Sequence, residues 1–169
     1  MVPFNKRVLI VGFGSVSQCT LPILLKHIRV PPENITVIDF DDRAAALKRL
    51  SDYAQKAVAR GRMSADESAA VMRGVRGTVD YDAIRGCDWV IEAATENLAL
   101  KRRIFAEVEA RVAEDAIVTS NTSSLPAARI FADMRYPGRA TVTHFFAPAW
   151  RNPAVEVIDW AGAGPSLVD

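Results

Sequence analysis

The sequence predicts an α/β fold, a Rossmann-type doubly wound and mostly parallel sheet, and three observations point to it. Short continuous apolar runs alternate with helical patterns, the signature of βαβ units. The first run, "RVLIV", leads straight into "GFG" and then a helical stretch. The second, "ITVIDF", carries an acid at its end, Asp39. The 169 residues suit a single dinucleotide-binding domain over 1–169.

Composition narrows the function classes. Half of the residues are apolar and the net charge is +1, so no strong field points to nucleic acid or a membrane surface. No apolar run approaches the roughly 18 residues of a spanning helix. Cys19 and Cys87 make neither a disulfide framework nor a metal pattern, so no metal is expected and a reducing cytoplasm is the expected compartment.

Each element follows in order. "RVLIVG" reads as a buried strand, and Ser15 to Arg29 as a helix that Pro22 should kink. "VPPEN" is a loop and "ITVIDF" the second strand. Leu47, Leu50, Ala54 and Val58 repeat at three and four residues, which marks a helix face, and Gly61 ends it. Ser64 with Glu67 forms a capping box for another helix. "RGTVDY" and "CDWVIEAA" are the third and fourth strands. Ile104, Phe105, Val108 and Val112 mark the next helix. "AIVTSN" is a fifth strand, followed by a short helix after Ser124 and Pro126. "ATVTHFF" and "AVEVID" are two more strands, and Pro165 opens what looks like a helical first turn.

The glycine turn carries the first chemistry. Gly12 permits a tight turn, and Gly14 lets the backbone approach a pyrophosphate at the helix N-terminus, where Ser15 and Val16 follow. Where a third glycine would complete the pattern the chain has Ser17, which costs packing room more than phosphate affinity. Asp39 can accept a hydrogen bond from a ribose 2′-hydroxyl and would repel a 2′-phosphate, which favours NAD over NADP.

The last two strands carry the second. If "VTHFF" and "VEVID" pair antiparallel around Trp150, His144 and Glu156 are equidistant from it and face each other. A carboxylate beside an imidazole fixes its tautomer and makes it a better general base.

Four stretches, "CDWVIEAATENLALKRRIF", "SNTSSL", "THFFAPAW" and "NPAVEVI", run in order from Cys87 to Ile158. They resemble the NAD-binding domain of the 3-hydroxyacyl-CoA dehydrogenase family, and the helix pair from about Leu47 to Arg73 fits that family's insert before the third strand. The earlier stretches "RVLIVGFGSVSQCTLPILLKHI" and "PPENITVIDFDDR" resemble instead the start of homospermidine synthase, another NAD-using enzyme on a Rossmann-type domain. The chain therefore reads as two related pieces, about 6–43 and 47–160, with a seam near 43–50. That makes it an engineered or recombined domain, or else one dehydrogenase whose N-terminus has drifted.

The dehydrogenase resemblance implies hydride transfer between 3-hydroxyacyl-CoA and NAD. It implies His144 as the base, Glu156 orienting it, and Ser123 bonding the reacting oxygen, with Glu96 and Lys101 lining the nicotinamide side. Taken alone, each of these has an ordinary structural use: a satisfied histidine, a surface strand residue, a helix cap, a solvated charged face. One departure is Ala147, where the family has asparagine. The family's last strand, a further catalytic asparagine and the helical C-terminal domain that closes over acyl-CoA have no counterpart up to Asp169. The expectation is little or no turnover by this chain alone, or a scaffold that holds NAD without catalysing. Polyamine chemistry has no site residues in the stretch that resembles homospermidine synthase. An acyl-CoA is the expected small-molecule partner. Self-pairing is expected through the edge near "AVEVIDW", with Val155, Val157 and Trp160 exposed.

Overall fold

The computed structural model describes residues 2–14, 17–39, 43–61, 63–146 and 154–167. Along them strand and helix alternate: β1 (Val2–Pro3), β2 (Val8–Val11), α1 (Ser17–His27), β3 (Ile28–Arg29), β4 (Ile35–Ile38), α2 (Arg43–Ala59), α3 (Ala65–Gly74) and β5 (Arg76–Thr78). Then follow β6 (Trp89–Glu92), α4 (Leu98–Glu109), β7 (Ile117–Ser120), α5 (Ala127–Ile130), β8 (Ala140–Phe145) and β9 (Val155–Ile158).

Seven strands form the central sheet in the order β5-β4-β2-β6-β7-β8-β9. All pairings are parallel except β8 with β9. The order reverses between β2 and β6, the switch point at which open α/β sheets leave a crevice beyond the strand ends.

Both faces of the central strands are covered, and so β2 and β4 read as unbroken buried runs. Leu9 and Val11 face one core with Ile104, Phe105 and Val108 of α4. Val8 and Ile10 face the other, against Leu21 and Leu24 of α1 and Leu50 of α2. Each such side chain contributes about 1.5–3 kcal/mol on full burial.

Local signals are realised in the backbone. Gly61 takes a φ of 63° just after α2, and Ser64 and Glu67 make the reciprocal capping bonds at the start of α3. Several expectations are corrected. The helix from the glycine turn stops at His27, because Ile28 and Arg29 pair in parallel with Val2 and Pro3 in a separate two-stranded sheet. Pro22 lies inside this helix, as expected. Among the α2 side chains described, Leu50, Ala54 and Ala57 are buried and Val58 is half-buried; a 3.6-residue period drifts off a strict four-residue step, and the side chain of Leu47 lies outside those described. The last segment forms a 3₁₀ turn over Pro165–Leu167. Trp160 is not an exposed edge residue. Its ring packs on Phe131, centroids 5.9 Å apart, and its Nε1–H donates to the Ala140 carbonyl at 2.8 Å. Val155 and Val157 are exposed on β9, as the edge argument requires.

Candidate active site

The crevice begins at the turn after β2. Gly12 has a φ of 83°, and its N–H donates to the Ile38 carbonyl at 2.7 Å. A Cβ at Gly12 would lie 2.6 Å from the Ala94 Cα, so glycine here serves close approach of the β2 and β6 turns. At Gly14 a Cβ would meet nothing within 4 Å. At Gly14 itself the chain is therefore open, as a turn that receives a pyrophosphate requires. Ser17 is fully buried, and its hydroxyl donates to the Gly12 carbonyl. Serine thus closes the turn with a hydrogen bond where the third glycine would have given room. Ser15 and Val16 lie outside the described residues.

Asp39 follows β4 and is nearly buried. It accepts a hydrogen bond at Oδ2 from the Phe13 N–H at 3.3 Å, so the acid and the glycine turn form one unit. The open face at Gly14 with a carboxylate at the end of the neighbouring strand fits NAD.

The second group lies at the end of β8. In the antiparallel register His144 stands opposite Glu156. The His144 Nδ1 and Glu156 Oε2 are 2.9 Å apart. This leaves Nε2 as the imidazole nitrogen free of the carboxylate. The Phe146 ring lies 4.6 Å from the imidazole and limits its tilt. A cavity of about 230 Å³ opens beside the pair, and Thr122, Ser123, Leu125 and Ile158 are among its walls.

Glu96 holds the Thr122–Ser123 side of this cavity from behind. Its carboxylate accepts from the Ser123 N–H at 2.7 Å, the Ser123 hydroxyl at 3.1 Å and the Thr122 hydroxyl at 2.8 Å. Burial pushes this carboxyl up. The Ser123 amide, the two hydroxyls and the Lys101 charge together outweigh it and hold the group below the usual carboxylate range. Glu96 is therefore ionised at neutral pH and orders the Thr122–Ser123 turn. The Ser123 hydroxyl proton points at Glu96, so it reaches a ligand in the cavity only by rotating.

Lys101 does not open onto this cleft. Its side chain is 1% exposed, and Nζ sits 2.6 Å from Glu92 Oε2 and 3.2 Å from the Ser120 hydroxyl. Lys101 thus forms a buried ion pair that ties α4 to the ends of β6 and β7. Three residues that the sequence reading passed over complete the support. Glu92 also accepts from the Ala94 N–H at 2.8 Å and the Ser120 hydroxyl at 2.6 Å. Asn121 accepts from the Phe145 N–H at 2.8 Å. The signal for the ion pair was present: a glutamate closing an apolar run, with a lysine nine residues later. Ala147 and Trp150 lie outside the described residues, and among those described no cluster of His, Cys, Asp and Glu could hold a metal.

A glycine turn with an acid at the next strand end defines a dinucleotide-binding domain. More narrowly, the chain matches the family described as 3-hydroxyacyl-CoA dehydrogenase, NAD binding domain, over residues 8–169, and it belongs to that family. The match spans the glycine turn and residues 43–50 alike, so this one family accounts for both stretches between which the sequence reading placed a seam. Among solved structures, the chain is 27% identical to FadB2 of M. tuberculosis, with a TM-score of 0.86, covering 97% of this chain and 57% of that one. It is 26% identical to the (S)-3-hydroxybutyryl-CoA dehydrogenase PaaH1 of Ralstonia eutropha, with a TM-score of 0.84, covering 98% and 58%. The Escherichia coli K12 3-hydroxybutyryl-CoA dehydrogenase, at 24% identity and a TM-score of 0.84, shares the fold and covers 98% and 34%. The chain thus spans less than two thirds of the length of each.

Proposed function

We propose that this domain serves hydride transfer between a 3-hydroxyacyl-CoA and NAD, with His144 and Glu156 as its acid–base pair. The observation that carries the reading is the 2.9 Å contact between His144 Nδ1 and Glu156 Oε2 at a cavity shared with Ser123. NAD, when bound, supplies the hydride acceptor. Glu156 takes the hydrogen bond from Nδ1–H and so presents Nε2 as the lone-pair nitrogen. Nε2 removes the proton of the 3-hydroxyl as hydride leaves C3. Ser123 turns its hydroxyl from Glu96 to the same oxygen, while Glu96 keeps the Ser123 amide. Gly12 and Gly14, with Ser15 and Val16 next in sequence, would hold the pyrophosphate, and Asp39 would accept a hydrogen bond from the ribose hydroxyl. Glu96 shapes the nicotinamide side; Lys101 acts there through the carboxylates it faces.

The test is titration of NAD into isotopically labelled chain. NAD should move the amides of Gly14 and Ser123 and the ring of His144, while His27 stays still. Unmoved Ser123 and His144 signals under saturating NAD would sink this reading. Turnover of 3-hydroxybutyryl-CoA by these 169 residues should be slow, because they span 57% and 58% of the FadB2 and PaaH1 chains they match and hydride transfer needs a held, dehydrated substrate. Robust NADH production would refute that expectation.

Cofactor choice gives a further prediction. NAD should bind more tightly than NADP, and Asp39→Ala should weaken NAD by roughly 1.5–3 kcal/mol and narrow the gap. Equal affinities for the two cofactors in the unmodified chain would refute the role of Asp39.

We infer self-association through β9, an edge strand on which Val155 and Val157 are exposed. Sedimentation at rising concentration should show a dimer that Val157→Lys weakens. A monomer at every concentration would overturn it.

A further inference from the structure

We infer that Asn121 is a positioning residue: its side chain holds the end of β8, and with it His144, in register with Glu156. This rests on the reading of His144 and Glu156 as the acid–base pair. The β7–β8 ladder has its last partners at Ser120 and Val142. His144 lies two residues beyond that point, where backbone pairing on the β7 side has stopped. On its other side stands only β9, an edge strand with an exposed residue at each position.

Asn121 fills this gap. Its N–H donates to the Glu92 carbonyl at 2.7 Å and continues the β6 side of the sheet. Its Oδ1 accepts from the Phe145 N–H at 2.8 Å. That amide belongs to the peptide joining His144 to Phe145, so the bond fixes the plane from which the imidazole projects. The residue is only 8% exposed, and water competes weakly for the acceptor. A backbone carbonyl could not serve, because the main chain has already turned into the Thr122–Ser123 wall held by Glu96. One side chain therefore ties the two walls of the cavity to each other, and an apolar or shorter residue would leave β8 to splay from β7.

The test uses the full chain, whose two histidines, His27 and His144, make the imidazole spectrum simple. In Asn121→Ala, hydrogen exchange at the Phe145 amide should accelerate about tenfold relative to the Val142 amide, which measures the local bond apart from global stability. The His144 ring nitrogen signals should shift towards those of Glu156→Gln, with His27 unchanged. Asn121→Asp keeps an acceptor oxygen and should restore both. If Phe145 and Val142 exchange rise together, or if the His144 signals stay at their original positions, Asn121 is only a packing residue and the inference falls. Glu156→Gln separates the two ideas. Were it to leave the His144 signals unmoved, the acid–base pair would fail, and with it the claim about His144; a tie to Phe145 alone would then remain as a structural bond.

Discussion

Replacing Lys101 with methionine should destabilise the fold by about 3–5 kcal/mol, the usual cost of removing one partner from a buried ion pair. The ammonium and the Glu92 carboxylate are both essentially inaccessible. Methionine fills most of the volume, so little of the loss comes from a cavity. What remains is a carboxylate inside the sheet with the Ala94 amide and the Ser120 hydroxyl but no countercharge. A double change, Lys101→Met with Glu92→Gln, should recover much of the loss, because the amide oxygen still accepts from Ala94 and carries no charge. Urea unfolding of the three variants reads this directly. If Lys101 served chiefly as a cofactor contact, its loss would weaken NAD binding at unchanged stability, and a stability loss below about 1 kcal/mol would decide for that alternative.

The residues explain why some features could be read in advance and others not. The His144–Glu156 pairing follows from strand periodicity alone, since positions equidistant from a turn centre face each other in an antiparallel ladder. Gly12 is equally legible, because a positive φ and the close approach of Ala94 single out glycine there. The direction of Lys101 was not. A lysine on α4 can face solvent, cofactor or core, and only the glutamate at the end of β6 decides it. The β1–β3 sheet escaped notice because two-residue strands have no period to detect. Trp160 sits beyond the last strand, yet the Ala140 carbonyl and the Phe131 ring draw it inward, contacts that cross twenty or more residues of chain. Asn121 looks like an ordinary turn residue in sequence; its partner is Phe145, on another strand.

Removing the imidazole, as His144→Ala, should lower hydride transfer by about 10²–10⁴-fold, the usual worth of a positioned general base. The comparison is made at subsaturating acetoacetyl-CoA with NADH, where the ratio of rates reports lost transition-state stabilisation and weak substrate binding cancels between the two chains. In this direction the imidazolium returns the proton to the oxygen, so the same side chain is tested as acid. Glu156→Gln should cost less. Its amide oxygen can still accept from Nδ1–H at the 2.9 Å position, but it offers no charge to the imidazolium that forms. Ser123→Ala removes a hydroxyl already shared with Glu96, and its effect should be smaller than that of His144→Ala. That ranking separates an acid–base pair from a merely structural contact, in which His144→Ala and Glu156→Gln would disturb the β8–β9 ladder and change stability instead of rate. Equal rates for the wild type and His144→Ala, both above the uncatalysed background, would remove His144 from the chemistry and leave the cavity beside it as a binding surface.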